Sequence, residues 1–168
     1  DWSSDVCSSD LDASINAFAE ACTRGALGNF KKLYLWGNQI GNVGLQALAQ
    51  ACASGALGSL LTLDLGWNQI SDTGVSSLSE ALARGSLAGL EWLYLQDNQI
   101  GDIGLQALAS GSKLTHLDLA SNQISDPGMS VFSEALARGA LASLKNLLMY
   151  TISPALKAAC IARGITYY

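Results

Sequence analysis

One pattern occurs four times in this 168-residue chain and constrains its fold more than any other feature. The copies begin at Leu33, Leu63, Leu93 and Leu117 and read LYLWGNQIGNVGLQALA, LDLGWNQISDTGVSSLS, LYLQDNQIGDIGLQALA and LDLASNQISDPGMSVFS. They are offset by 30, 30 and 24 residues, so the third copy should carry a shorter helix. Such a period is typical of stacked-repeat architectures, in which each unit packs only against its neighbours. The pattern therefore predicts one continuous stack of similar units.

Each unit predicts a short strand, a turn and a helix. Leucine alternates with variable residues at Leu63–Asp64–Leu65, which indicates a strand with one packed face and one free face. Apolar side chains then recur at helical spacing, at Leu45, Leu48, Ala49 and Cys52 and again at Val75, Leu78, Ser79 and Leu82. The predicted strands span residues 31–36, 61–66, 91–96, 115–120 and 145–150. Because helices are wider than strands, the stack should curve, with parallel strands on its concave face and helices on its convex face.

Both ends of the predicted helices carry sequence signals. A short polar residue precedes each helix, where its side-chain oxygen could accept from the first free backbone N–H groups: Asp12, Asn42, Asp72, Asp102 and Asp126. Pro127 suits the first helical position. Glycine marks the other end, as expected for left-handed caps: Gly25, Gly55, Gly85 and Gly139. The extent of every helix is therefore specified locally.

This pattern resembles the leucine-rich repeat, LxxLxLxxN, in the long form of ribonuclease-inhibitor-like proteins and NOD-like receptors. The resemblance covers residues 12–168: a half repeat from Asp12 to Phe30, four full repeats, and a degenerate unit from Leu147 that looks like a terminal cap. It implies an α/β solenoid and a C-terminal fragment of a longer array. In this family the repeated asparagine is a buried amide that satisfies backbone groups of the turn, here Asn38, Asn68, Asn98 and Asn122.

Residues 1–11 share no pattern with the repeats. Their sequence, DWSSDVCSSDL, resembles the in-frame translation of a sequencing-library adapter, so we expect a non-natural, disordered segment before the repeat domain. Without its three aspartates the chain has nine basic and eleven acidic residues, a formal net charge of −2 in place of −5. A nearly neutral chain whose only basic pair is Lys31–Lys32 has no electrostatic footprint for nucleic acid or anionic membrane. No apolar run approaches the roughly 20 residues that cross a bilayer. We expect neither partner.

Residues that could carry chemistry are few. The lone His116 should share the exposed strand face with Asp118, but no positioned nucleophile and oxyanion site accompany them, so we expect no enzyme. Cys22 and Cys52 occupy the helix core position, and no cysteine spacing supports a metal site or a disulfide framework. No phosphate-binding loop is present. We expect no cofactor, metal or small-molecule substrate, and the unpaired thiols favour a cytoplasmic location.

The exposed strand face carries the residues that best indicate function. Neighbouring strands lie about 4.8 Å apart, so equal repeat positions form columns, and the central column contains Tyr34, Asp64, Tyr94, Asp118 and Leu148. Exposed aromatic side chains beside acids are typical of protein-binding hot spots, and the acids favour a partner that contributes Arg or Lys. We therefore predict a protein-interaction module that binds a protein or peptide on its concave face through Tyr34, Trp36, Asp64, Trp67, Trp92, Tyr94, Asp97, His116 and Asp118.

Three alternatives stay open at this point. Repeat duplication could simply have copied a tolerated aromatic residue. The chain could be a GTPase-activating regulator resembling the Ran GTPase-activating protein, although the acidic C-terminal tail of that family is absent. It could also be the ligand-sensing end of a NOD-like receptor whose nucleotide-binding module lies upstream. Resemblance at the level of the fold does not choose among them.

Overall fold

The fold is an α/β solenoid in which strands and helices alternate along the chain, as predicted. The computed structural model describes residues 15–21, 30–55, 57–109 and 113–168. The expected adapter segment, and the roles predicted for Asp12, Cys22 and Gly25, lie outside these ranges. No helix of the described part is long and apolar enough to cross a membrane.

Six parallel strands form one sheet, in which each strand pairs with the next along the chain. The strands are β1 (Lys32–Tyr34), β2 (Thr62–Asp64), β3 (Trp92–Tyr94), β4 (His116–Asp118), β5 (Asn146–Leu148) and β6 (Thr166–Tyr167). The first five are shorter than predicted, because the chain turns soon after the central buried leucine. Strand β6 was not predicted, since its sequence lacks the leucine alternation.

Helices follow the strands and pack side by side against one another. They are α1, described for residues 15–21, α2 (Asn42–Ala53), α3 (Asp72–Ala83), α4 (Asp102–Leu108), α5 (Asp126–Ala137) and α6 (Pro154–Arg163). Helix α4 has 7 residues where α3 has 12, which confirms the shorter helix predicted from the 24-residue offset. The core lies between the sheet and the helices, and Leu63, Leu65 and Val75 are among its fully buried side chains.

The predicted C-terminal caps are confirmed. Gly55, Gly85 and Gly139 have φ angles of 86°, 80° and 97°, in the left-handed region that glycine adopts without a steric penalty. The N–H of each donates to a carbonyl of the last helical turn, as from Gly55 to Cys52 O at 2.9 Å. Cys52 is buried, as predicted for a core position.

The predicted roles at the helix starts are wrong in one respect. Asn42, Asp72, Asp102 and Asp126 are the first residues of their helices, not the residues before them, and Pro127 is accordingly second. The N-cap positions are held by Gly41, Ser71, Gly101 and Ser125. A residue inside the first turn cannot cap its own helix in the predicted way, so these side chains serve another purpose.

Three of these side chains cap the helix of the following repeat. Asp72 Oδ1 accepts from the N–H of Gly101 at 2.7 Å and of Gly104 at 2.9 Å, both at the start of α4. Asn42 Oδ1 does the same for Ser71 at 2.9 Å and Gly74 at 3.1 Å, and Asp102 Oδ1 accepts from Ser125 at 2.8 Å. We call these contacts the inter-repeat caps. They join residues that are 23 to 32 positions apart in sequence, which local sequence patterns do not reveal.

The inter-repeat caps explain the glycine two residues after each helix start. A Cβ atom at Gly74 would lie 2.7 Å from Asn42 Oδ1, and one at Gly104 would lie 2.7 Å from Asp72 Oδ1. A Cβ at Gly128 would collide with the Asp102 carboxylate in the same way. The close approach of the capping oxygen therefore requires glycine on the neighbouring helix, although glycine is a poor helix former.

The repeated asparagines form the predicted ladder from the second repeat onward. The amide oxygens of Asn68, Asn98 and Asn122 accept from the N–H of the isoleucine in the preceding repeat, at 2.8 to 3.0 Å. The amide nitrogen of Asn98 donates to Leu65 O at 2.9 Å and Leu95 O at 3.1 Å, so one side chain joins two repeats.

Two members of the ladder are less buried than predicted. Asn122 is half-buried but keeps the full set of hydrogen bonds. Asn38 is also half-buried, and its side chain bonds only Trp36 O among the described residues, at 3.1 Å. Asn38 is therefore less buried than predicted, but its amide pairs with a backbone group of its own turn, as predicted.

The last unit packs α6 against α5 and β6 against β5, and its role as a terminal cap stays a prediction. The Ser153 hydroxyl accepts from the N–H of Leu156 at 3.3 Å, and Pro154 is the first residue of α6. After Gly164 turns the chain at a φ of 65°, β6 pairs with β5. The Arg163 guanidinium donates to Leu136 O at 3.1 Å and Leu141 O at 3.0 Å, which fastens α6 to the end of α5.

Candidate binding surface

The free face of the sheet has the column arrangement that the sequence predicts. Strand register places Tyr34 beside Asp64, Asp64 beside Tyr94, Tyr94 beside Asp118 and Asp118 beside Leu148. A second column contains Lys32, Thr62, Trp92, His116 and Asn146. The side chains between the buried leucines therefore lie next to one another across five strands, as a patterned surface.

Most of the predicted aromatic residues are open to solvent. Tyr34 is 57% exposed, and Trp36 and Trp67 are each 62% exposed. Tyr150 occupies the position in its own repeat that Trp36 occupies in the first repeat, and it is exposed as well, although we did not include it among the predicted binding residues. These rings contribute little to the core, since most of their surface remains in contact with water.

Trp92 differs from the other two tryptophans, because it is half-buried by neighbouring rings. Its ring stacks on His116 of the next strand, with centroids 3.3 Å apart and an interplanar angle of 8°. Tyr94, on the same strand as Trp92, lies 6.3 Å away at 25°. The prediction that all three tryptophans face outward thus holds, but Trp92 forms part of an aromatic stack and not a free anchor.

The backbone of the turn beyond the strands was not predicted. Gly37, Trp67, Asp97 and Ser121 occupy one repeat position and have φ angles of 68°, 56°, 53° and 54°. L-residues adopt this left-handed region at a cost of roughly 1 kcal/mol or more, and bulky side chains rarely do so. Trp67 therefore occupies a position where glycine or asparagine would be more favourable, and its exposed ring recovers little of that cost by packing.

Two aspartates of the central column are held in the same way. Asp64 Oδ1 accepts from the N–H of Gly66 at 3.0 Å, and Asp118 Oδ1 accepts from Ala120 at 3.0 Å. Neither carboxylate has an ion pair or a bond to its second oxygen within the described part of the chain. Each carboxylate is thus fixed by its own turn, with one oxygen available to a ligand.

The acidic residues of this face influence one another. Burial raises the pKa of Asp118, and the nearby charges of Asp97 and Asp64 raise it further, against the opposing effect of the Ala120 hydrogen bond. Burial raises the pKa of Tyr94, and the charges of Asp64 and Asp118 raise it further. Keeping the Asp118 carboxylate ionised is therefore a cost to the folded chain.

His116 lies beside Asp118 in the sheet but forms no described hydrogen bond with it. Its Nδ1 lies 2.8 Å from Thr115 Oγ1, and its ring is occupied by the stack with Trp92. Burial lowers the pKa of His116, Lys145 lowers it further, and Glu91 opposes them. The arrangement suits a neutral aromatic contact surface and does not assemble an acid–base pair.

Comparisons with known proteins identify the repeats. Family models described as leucine-rich repeats match residues 29–49 and 59–79 in one case and residues 89–130, as two copies, in the other. A solved structure of Leiomodin-1 Actin-Binding Site 2 (ABS2) is similar in fold, with a TM-score of 0.72 and 16% sequence identity, over 87% of this chain and 84% of that chain. The curated proteins include no match to the sequence. The chain is therefore a leucine-rich repeat protein, folded as a parallel-stranded solenoid.

Proposed function

We propose that this chain is a protein-interaction module whose concave strand face binds a protein or peptide. One observation carries the proposal: Trp67 is held in the left-handed backbone region with 62% of its surface exposed. Unfavourable conformations that packing does not repay are found mainly at functional positions. Trp36 and Tyr34 extend the same exposed aromatic surface in the neighbouring repeat. Binding a partner would bury these rings and explain why they occupy exposed positions.

Two further features support this proposal. The aromatic residues adjoin Asp64, Asp97 and Asp118, so the surface combines apolar anchors with charge, as protein-binding hot spots do. The leiomodin-1 structure of similar fold is an actin-binding site, so a protein partner has a precedent on a solenoid of this kind. The partner of this chain does not follow from that likeness, because fold alone does not determine function.

We also infer the subtype of the repeats from the sequence, and the cellular location of the chain from its buried cysteine. Repeat offsets of 30 residues support the long form found in ribonuclease-inhibitor-like proteins and NOD-like receptors. The buried free thiol of Cys160 supports a reducing, cytoplasmic location. Neither inference bears on the choice of partner.

The proposal is tested by capture of proteins from a lysate of the source cells, quantified by mass spectrometry. Trp36→Ser and Trp67→Asn should each remove the captured partner. Both should leave the free energy of unfolding within about 0.5 kcal/mol of wild type, because the rings are exposed and asparagine tolerates the left-handed region. A matched control is Ile161→Ser on α6, a residue 63% exposed on the helical side.

Retention of the partner by both tryptophan variants would contradict the proposal, as would its loss in the Ile161→Ser control. A large loss of stability in Trp36→Ser would instead show that this aromatic residue belongs to the core.

A further inference from the structure

The orientation of Tyr94 follows from two ring contacts. Trp92 and His116 lie on adjacent strands and stack face to face at 3.3 Å, so the normal to the Trp92 ring points from strand to strand. The Tyr94 ring lies within 25° of the plane of Trp92. The faces of Tyr94 are therefore directed toward the neighbouring strands, one toward Asp64 on β2 and the other toward Asp118 on β4.

On the β2 side, the Tyr94 face borders the space above Asp64, and we call the space between Tyr94 and Tyr34 the slot. Asp64 lies beside it, and Tyr34 lies one strand further, so two tyrosines flank one aspartate. Their backbones are about 9.6 Å apart at the usual strand spacing, and concave curvature narrows that separation above the sheet. The two tyrosine rings make no described ring contact with each other, so aromatic packing does not close the slot. The shorter aspartate forms its floor.

We propose that this slot, with walls Tyr34 and Tyr94 and floor Asp64, receives an arginine side chain of the partner. The inference rests on the proposed function and specifies the chemistry of the partner at one point of the surface. A planar guanidinium between two aromatic walls needs roughly 7 Å, the sum of two van der Waals contacts. It would stack on the Tyr94 face as a cation–π contact and donate to the second oxygen of Asp64.

Charge complementarity supports a cation over any other occupant. The strand register places Tyr94 between Asp64 and Asp118, and the charge of Asp64 helps to raise the pKa of Asp118, after burial and together with Asp97. A bound guanidinium would offset the mutual repulsion of these carboxylates. Arginine is favoured over lysine because a weakly hydrated, planar cation matches two ring faces, whereas an ammonium is compact and strongly hydrated.

The direct test uses N-acetyl-arginine amide as the probe and two-dimensional NMR as the readout. Titration into the full chain should shift the ring signals of Tyr34 and Tyr94 and the amide signals near Asp64, with a dissociation constant in the millimolar range. The citrulline analogue, which has the same shape without the charge, should produce no comparable shift. The lysine analogue should bind more weakly than the arginine compound.

Two variants make the test specific. Asp64→Asn keeps an acceptor for the Gly66 N–H while removing the charge, and it should weaken binding at least about tenfold, equivalent to about 1.4 kcal/mol. Tyr94→Leu should do the same, and leucine is acceptable in this column because Leu148 occupies it on β5. Asp126→Asn, an exposed acid at the start of α5, changes the net charge equally and should leave binding unchanged.

Several results would contradict the proposal that the slot binds arginine. They are equal binding of the citrulline or lysine analogue, unchanged affinity in Asp64→Asn, shifts confined to another surface, or no shift at about 100 mM arginine amide. The last limit corresponds to a binding free energy weaker than about −1.4 kcal/mol. These results can be told apart from failure of the proposed function. A chain that does not bind arginine amide in the slot can still capture a partner through Trp36 and Trp67.

Discussion

The turns of this solenoid and its exposed strand face both carry short polar side chains, but these side chains differ in their hydrogen bonds. In the turns, Asn98 and Asp72 each bond backbone groups of an adjacent repeat. On the strand face, Asp64 and Asp118 satisfy one oxygen locally, and no described residue bonds the other. The polar groups of the first set are thus used to hold adjacent repeats together, whereas the second carboxylate oxygens on the strand face remain available for hydrogen bonds to a ligand. In a stacked-repeat protein this contrast separates residues that hold the repeats together from residues that remain available to a partner.

The largest effect should come from breaking the asparagine ladder. Asn98→Ala should lower the free energy of unfolding by about 2 to 4 kcal/mol, because the buried N–H of Ile70 loses its acceptor and a buried cavity opens. Urea denaturation followed by circular dichroism measures the change. The matched control is Asn38→Ala, whose side chain makes one described bond, to Trp36 O, and which should cost less than about 1 kcal/mol. Equal losses in the two variants would show that the ladder is not the source of the stability.

A smaller effect should come from the inter-repeat caps. Asp72→Ala removes the acceptor of two N–H groups at the start of α4 and should cost about 1 to 2 kcal/mol. Asp126→Ala is the comparison, since α6 is capped by its own Ser153, and it should cost no more than about 0.5 kcal/mol. Hydrogen exchange should show faster opening of α4 in the first variant alone. If Asp126→Ala destabilised the chain as strongly, general charge effects would account for both.

The smallest effect, and one of opposite sign, concerns the strand face. Asp118→Asn should raise the melting temperature at pH 7 by about 1 to 3 °C, because it removes a carboxylate whose ionisation the fold disfavours while keeping an acceptor for Ala120. The pKa of this carboxyl is raised in the folded chain. The advantage of the variant should therefore shrink as pH falls through that raised value and vanish below the ordinary value of 3.8.

Differential scanning calorimetry from pH 3 to pH 8 would follow this advantage. A variant that is less stable than wild type at pH 7, or an advantage that grows in acid, would show that Asp118 stabilises the free chain. Asp118 would then contribute to the stability of the fold, contrary to the role that the comparison gives to residues of the strand face.

Much of the candidate surface could be predicted from the sequence, since strand alternation alone places Tyr34, Asp64, Tyr94 and Asp118 in one column. The burial of the individual side chains and the backbone conformation at each position could not be predicted in this way. Trp92 is half-buried because His116 of the next strand stacks on it, and the left-handed backbone at Trp67 has no signal beyond Gly37 at the equivalent position. Ring orientation depends on the neighbouring strand, which local spacing does not describe.

The sequence by itself determined the repeat period, the buried leucines, the glycine caps of the helices and the short helix α4. These features depend on contacts within one unit, where spacing along the chain equals spacing in the fold. Only the tertiary structure decided that Asn42, Asp72 and Asp102 cap the following repeat, that Gly74 and Gly104 make room for them, and that β6 pairs with β5 as a sixth strand. These contacts join residues 20 or more positions apart, so they exist only after the repeats have stacked in register.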